Sequence, residues 1–116
     1  LSPLRQPLEQ LLARVSVVTL ALLGDLLSGK VNQGLANSAL YLKVFGHAVI
    51  GWRWLEQALR ATQGLEQGNA ADADFYHGKL QAARWFLSCE VPGCEHELRL
   101  LETRNTTCLD MQEDWF

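Results

Sequence analysis

The chain has 116 residues, enough for one domain with a single modest core. Hydrophobic residues make up 48% and charged residues 20%, the balance of a soluble globular protein rather than a disordered or membrane-embedded one. The net charge of −3 is unevenly placed: residues 1–88 carry eight basic and six acidic side chains, residues 89–116 two and seven. An acidic end of this kind repels phosphate backbones, so nucleic acid is not an expected partner.

The chain opens on Leu1 with no charged stretch ahead of an apolar one, which reads as a boundary inside something larger and not as a signal peptide. A first helix is expected to begin with Ser2 as N-cap and Pro3 at the first helical position. Leu4, Leu8, Leu11, Val15, Val18, Leu22 and Leu26 then recur at three- and four-residue steps, and Ser28-Gly29 ends the pattern. The longest nearly apolar run, Val15 to Leu23, falls far short of the roughly 20 residues of a spanning helix, so no membrane span is expected.

No proline stands between Pro7 and Pro92, which favours long helices, because proline inside one costs about 3 kcal/mol. The second helix is expected from about Asn32 to Gln63, with Ala36, Leu40, Val44, Ala48, Trp52, Leu55 and Leu59 as its inward stripe. A curve or kink near Gly46 and Gly51 suits its length of nearly 50 Å at ~1.5 Å per residue. Gly64 to Ala71 reads as a polar connection. Asp72 is the expected cap of a third helix, with Asp74 near its positive end and Phe75, Leu80, Ala83, Phe86 and Leu87 facing inward. Val91-Pro92-Gly93 stops or sharply bends that helix. A short fourth helix follows, roughly Gly93 to Thr103, with Leu98, Leu101 and Cys94 inward. The expected fold is all-α: an up-and-down antiparallel bundle of three long helices plus a short fourth over residues 1–103, and an extended C-terminal tail over 104–116 ending in Trp115-Phe116.

Reactive constellations are scarce. His47, His77 and His96 match no metal or catalytic spacing, and a packed or hydrogen-bonded His47 and an exposed His77 are expected. Cys89, Cys94, His96 and Cys108 fit no common zinc pattern, and three cysteines make no closed disulfide framework. Inert thiols in a reducing, cytoplasmic setting are the expectation. Glu95, Glu97 and Glu102 read as a solvated face. No GxSxG, Walker or GxGxxG pattern occurs, so no catalytic, cofactor-binding or metal-binding residue is assigned.

The aromatics say more. Trp52 and Trp54 are two positions apart on one helix, and Trp85 neighbours Phe86, so one of each pair faces outward, as at an interface. Phe45, Gly46, Gly51, Trp52, Trp54, Phe75, Tyr76, Trp85 and Phe86 are therefore the candidate interface or packing residues. Gly46 and Gly51 would admit a close helix, with Ala82-Ala83 as the matching small surface. Lys79 is expected to pair with an acidic neighbour or cap carbonyls.

Two segments resemble a known family. Tyr41-Leu42-Lys43-Val44-Phe45-Gly46, running on to Gly51-Trp52, and Asp72-Ala73-Asp74-Phe75-Tyr76 through Ala83-Arg84-Trp85-Phe86 are similar to the acetyl-CoA dehydrogenase-like C-terminal domain of the acyl-CoA dehydrogenase family. The likeness covers roughly residues 4–103, and Leu109 to Phe116 looks like the close of such an enzyme. Trp85 stands where Phe or Tyr is usual, and Gly78 lowers local helix propensity. The resemblance implies a non-catalytic helical domain joined to upstream dehydrogenase domains of the same chain, in an enzyme that uses FAD for α,β-dehydrogenation of an acyl-CoA and forms a homo-oligomer. It places neither FAD nor a catalytic residue in these 116 residues. The rival readings are a free-standing helical interaction module and a small metal protein built on the cysteines.

Overall fold

The structure, a computed structural model, describes residues 2–68 and 70–116, and for Ser2 and Ala70 the backbone alone. Helix α1 runs Ser2–Leu27, a single turn of helix α2 Val31–Leu35, α3 Ser38–Glu66, α4 Ala73–Trp85 and α5 Glu95–Glu102. No strand occurs among the described residues. The expected capping by the Ser2 hydroxyl lies outside the described residues, as does Asn69 of the α3–α4 connection.

Glycine stops α1 where the sequence predicts. Gly29 takes φ +86°, its N–H reaches Leu26 O at 3.3 Å, and the Lys30 N–H reaches Asp25 O at 2.8 Å. That pair of bonds satisfies carbonyls a helix end otherwise leaves bare. The single helix expected over 32–63 is two: α2 stops at Leu35, and α3 begins at Ser38 after a break at Ala36-Asn37. Gly34 permits the break. A Cβ there would lie 3.0 Å from Leu26 and 3.3 Å from the Leu22 carbonyl, a tight contact that glycine avoids where α2 folds back on α1.

The contacts give the topology. Leu8 lies beside Gly51 and Thr19 bonds Tyr41, so α1 and α3 are antiparallel. Tyr76 meets Gly64, His47 meets Glu90 and Asn37 meets Asn105, so everything after α3 descends antiparallel to it. The expected fourth helix is thus the continuation of the third leg. Pro92, with no N–H to give, bends that leg instead of ending it. A wider π turn at Phe86–Glu90 closes with Val91 N–H on Phe86 O at 3.0 Å, and a 3-10 turn at Pro92–Cys94 leads into α5.

The core is the seam of these three legs: Leu8, Leu11, Val15 and Val18 from α1, Val44 and Ala48 from α3, then Leu87, Val91, Cys94, Leu98 and Leu101. The inward stripe of α3 departs from expectation at Trp52 and Leu59, which are 50% and 45% exposed. Gly51 and Ala58 face inward in their place. Their small size lets Leu8 approach a Cβ position at Gly51 to 3.1 Å and Val91 to 3.4 Å. Gly46, expected to admit a helix, borders open space; the other tight crossing is Gly64, where an added methyl would overlap the Tyr76 ring. Phe75, expected inside, is 61% exposed because α4 turns Ala83 toward α3.

Charged pairs tie the legs together at their edges. Arg14 in α1 is gripped by Glu95 and Glu102 of α5, and Lys43 of α3 by Glu97. Glu95 and Glu102 are exposed, as the sequence suggests, though paired with Arg14, whereas Glu97 is buried against that expectation. Hydrogen bonds from Arg14, then Arg99, hold the Glu95 carboxyl below its usual value, and a bond from Lys43 does the same for Glu97. Carboxyls depressed in the folded state stabilise it above their unfolded value of about 4.3, and that contribution is lost as pH falls through the folded values. Thermal unfolding followed by circular dichroism is therefore expected to show the melting temperature level from pH 7 to about 5 and falling steeply below about 4. A Lys43→Met, Arg14→Met variant should show a shallower fall over the same range.

The bundle is thin. Its extents are 65 × 30 × 16 Å and its radius of gyration is 18.8 Å, against about 13 Å for a compact chain of this length. Its accessible surface, 7802 Å², exceeds the roughly 6,300 Å² of a compact monomer of 13.0 kDa by about 1,500 Å².

Candidate interaction surface

Part of the exposed surface is apolar and falls into helical stripes. Leu8, Leu11, Val15 and Val18 of α1 are buried, while other large hydrophobic residues of the helix are exposed on its outer side. Leu12, Leu20, Leu23 and Leu27 line that outer side, at 44%, 71%, 47% and 80% exposure. Val31 and Leu35 of α2 are exposed as well. By length and composition Pro3–Leu27 could cross a bilayer, which the short run Val15 to Leu23 does not reveal. Here its inner side is the core seam, and Arg14 at mid-helix is bound by α5.

A second stripe runs along the outer side of α3: Leu42, Phe45, Val49, Trp52 and Leu59. With Glu56 between the last two, the steps are three, four, three, four and three residues, the spacing of a helix seam. Phe45 stacks on Tyr41 with centroids 6.0 Å apart, and the Arg53 guanidinium lies 5.8 Å from the Trp52 ring. Gly46 sits among Leu42, Phe45 and Val49 with nothing within 4 Å of its missing Cβ.

The third feature is an apolar groove of about 570 Å³ between α3 and α4, lined by Trp54, Gly78, Gln81, Ala82, Trp85 and Phe86. Trp85 forms its outer wall at 56% exposure. Lys79, expected to pair with an acid, instead lies 5.7 Å from the Trp54 ring and 5.4 Å from Phe75. Cation–π attraction holds the charge over the rings without burying it. Phe75 packs edge-on against Tyr76, at 5.8 Å. Phe86 turns inward and stacks on His47 at 5.8 Å, while His47 bonds the Lys43 carbonyl at 3.0 Å and Glu90 at 3.1 Å, as a packed histidine should. His77 is exposed.

The nine residues singled out from the sequence therefore divide. Gly51 and Phe86 belong to the core side and Tyr76 to the α3–α4 crossing, whereas Phe45, Gly46, Trp52, Phe75 and Trp85 are on outer surface and Trp54 lines the groove. Sequence reasoning missed Leu42, Val49 and Leu59, though their three-four spacing with Phe45 and Trp52 was readable. It also missed Gly64.

Burial raises the Cys94 thiol, aided by the nearby Glu97 carboxylate, which makes it a poor nucleophile. Cys89 and Cys108 are exposed, and Cys108 donates to the Ala36 carbonyl at 3.4 Å. Among the described residues no three His, Cys, Asp or Glu side chains converge as a metal site. The groove walls carry no cationic group aimed at a pyrophosphate and no glycine-rich turn, so these residues do not fit a flavin dinucleotide.

Comparison with known proteins agrees with the fold. Among curated proteins the chain is similar to a butyryl-CoA dehydrogenase of Syntrophomonas wolfei subsp. wolfei, 34% identical over 70 residues. That match takes in 59% of this chain but 12% of the relative, so the chain corresponds to a small part of its length. Residues 1–112 match the family model described as Acetyl-CoA dehydrogenase C-terminal like. With its all-helical legs and its match over nearly the whole length, the chain belongs to the acetyl-CoA dehydrogenase C-terminal-like family.

Proposed function

We propose that this chain is a non-catalytic helical domain that supports the packing of an FAD-dependent acyl-CoA dehydrogenase. The observation that carries the reading is the set of exposed large hydrophobic side chains arranged in helical stripes on the outer sides of α1 and α3. A monomer rarely exposes contiguous apolar patches beyond a few hundred Å², and larger ones mark interfaces. The outer side of α1 is the face offered to the dehydrogenase domains of the same chain. The family and the similarity to a butyryl-CoA dehydrogenase support a parent that carries out α,β-dehydrogenation of an acyl-CoA; the proposal sets it in fatty acid metabolism and in the cytoplasm. The flavin and the catalytic base would belong to that parent's other domains.

The test is to purify the 116-residue chain and measure flavin absorbance and acyl-CoA-dependent reduction of an electron acceptor. Neither is expected. In the longer enzyme, Leu20→Glu with Leu27→Glu should loosen the domain, read as faster limited proteolysis near α1 with the flavin retained. Turnover by the isolated chain, or indifference of the longer enzyme to both charges, would defeat the proposal.

A further inference from the structure

We infer that a cleft at the start of α1 is a binding site for a small amphipathic anion, an apolar chain of medium length ending in a carboxylate. The site goes beyond the packing role and does not depend on it, since Leu20 and Leu27 lie toward the other end of α1. The cleft holds about 460 Å³, the size of a small-molecule site, and is lined by Pro3, Leu4, Thr62, Leu80, Arg84 and Ser88. Three elements build it: the first turn of α1, the last turns of α3, and α4 running on into the π turn.

Its lining has two parts. Pro3, Leu4 and Leu80 give apolar walls, with both leucines partly buried. Arg84 stands one turn after Leu80 and Ser88 one turn after Arg84, so the three share a face of the third leg. Arg84 is exposed, and among the described residues its guanidinium has no ion pair, hydrogen bond or ring partner. The Ser88 hydroxyl makes no hydrogen bond there either, so both groups have protons to donate. Thr62 does not, because its hydroxyl already donates to Ala58 O at 2.9 Å.

Other cations beside clefts already have their counter-charge. Arg14, beside the cleft between α1 and α5, is gripped by Glu95 and Glu102. Lys43 and His47, beside a polar cleft that includes Cys94, are held by Glu97 and Glu90. Among the described residues no carboxylate lines the cleft of Arg84. An uncompensated guanidinium next to leucines is complementary to a carboxylate whose apolar tail leaves water as the charges pair. A neutral chain would leave the guanidinium without a partner, an anion without a tail would leave the leucines wet, and a cation would be repelled.

The test titrates the 116-residue chain with decanoate, octanoate, decanol, acetate and decyltrimethylammonium, followed by amide NMR shifts and calorimetry. Decanoate is expected to saturate with a Kd of about 100 µM, and the shifts should centre on Leu4, Leu80, Arg84 and Ser88. Octanoate, two methylenes shorter, should bind about fivefold more weakly. Decanol should bind about tenfold more weakly, and acetate and decyltrimethylammonium should not bind. Arg84→Gln should weaken decanoate about tenfold with the melting curve unchanged, because the side chain is exposed and unpaired. Arg60→Gln, which removes a cation outside the cleft, should leave binding as it was. Equal binding of decanol and decanoate, equal losses in the two arginine variants, or shifts centred on the exposed stripes of α1 and α3 would overturn the inference. So would the lack of saturation at about 5 mM decanoate. None of these results bears on the α1 charge variants, which decide the packing role separately.

Discussion

Asp25→Ala is expected to lower the unfolding free energy by about 3 kcal/mol, a large share of the total for a chain this thin. Arg104, at the end of α5, takes φ +51°, a left-handed conformation that costs a side-chain-bearing residue about 1 kcal/mol. The backbone bonds there are those of a glycine stop: Arg104 N–H to Leu101 O at 3.2 Å and Asn105 N–H to Leu100 O at 3.0 Å. Arginine is held in the glycine place by its far end. Its guanidinium donates to Ala21 O at 3.1 Å, and its Nε lies 2.8 Å from Asp25 Oδ2. That last approach is off-line for a hydrogen bond, so attraction between charges does most of the holding. Asp25 is 8% exposed, and removing it leaves a cation beside buried backbone with nothing to balance it.

The reciprocal change separates the two effects. Arg104→Gly relieves the backbone but leaves the buried Asp25 carboxylate unpaired, for a net loss of about 2–4 kcal/mol. The double variant should then cost much less than the sum of the two, since both remove one interaction. Urea unfolding monitored by circular dichroism reads all three as shifts in midpoint at constant slope. A loss under 0.5 kcal/mol for Asp25→Ala would reduce the pair to an ordinary surface contact.

Gly64→Ala is expected to destabilise by about 1–3 kcal/mol, although alanine in a helix is normally worth about 1 kcal/mol over glycine. The reason is the Tyr76 ring, whose tip occupies the space a methyl would need. Gly78, on α4 of the same helix pair, has nothing within 4 Å, and Gly78→Ala should stabilise by about 0.5–1 kcal/mol. The same substitution thus takes opposite signs at two helical glycines. Tyr76→Leu removes the ring tip, so Gly64→Ala made in that background should cost little, a coupling that a double-mutant cycle measures. Equal effects at Gly64 and Gly78 would show that the crossing yields freely.

Much of this architecture was legible before the structure. The three- and four-residue recurrence from Leu4 to Leu26 marks one buried stripe, and Gly29 marks its end, because periodicity and backbone freedom are local properties. The inward places of Leu87, Cys94, Leu98 and Leu101 followed in the same way. Other features depend on residues far apart in the chain. The break after Leu35 needs Leu26 beside Gly34, and the choice between Gly46, Gly51 and Gly64 as crossing points rests on which helix arrives there. Glu95, Glu97 and Glu102 look solvated in sequence because nothing local announces Arg14 or Lys43, more than fifty residues away.

The sequence by itself determined the all-helical class, the end of α1 and the family, since each rests on propensity, spacing and short motifs. The tertiary structure decided which faces of α1 and α3 are left over once the core is filled. That follows from geometry: a helix carrying two apolar stripes can bury only one against its neighbours in a slab this thin, and which one remains outside is settled by where the other legs lie.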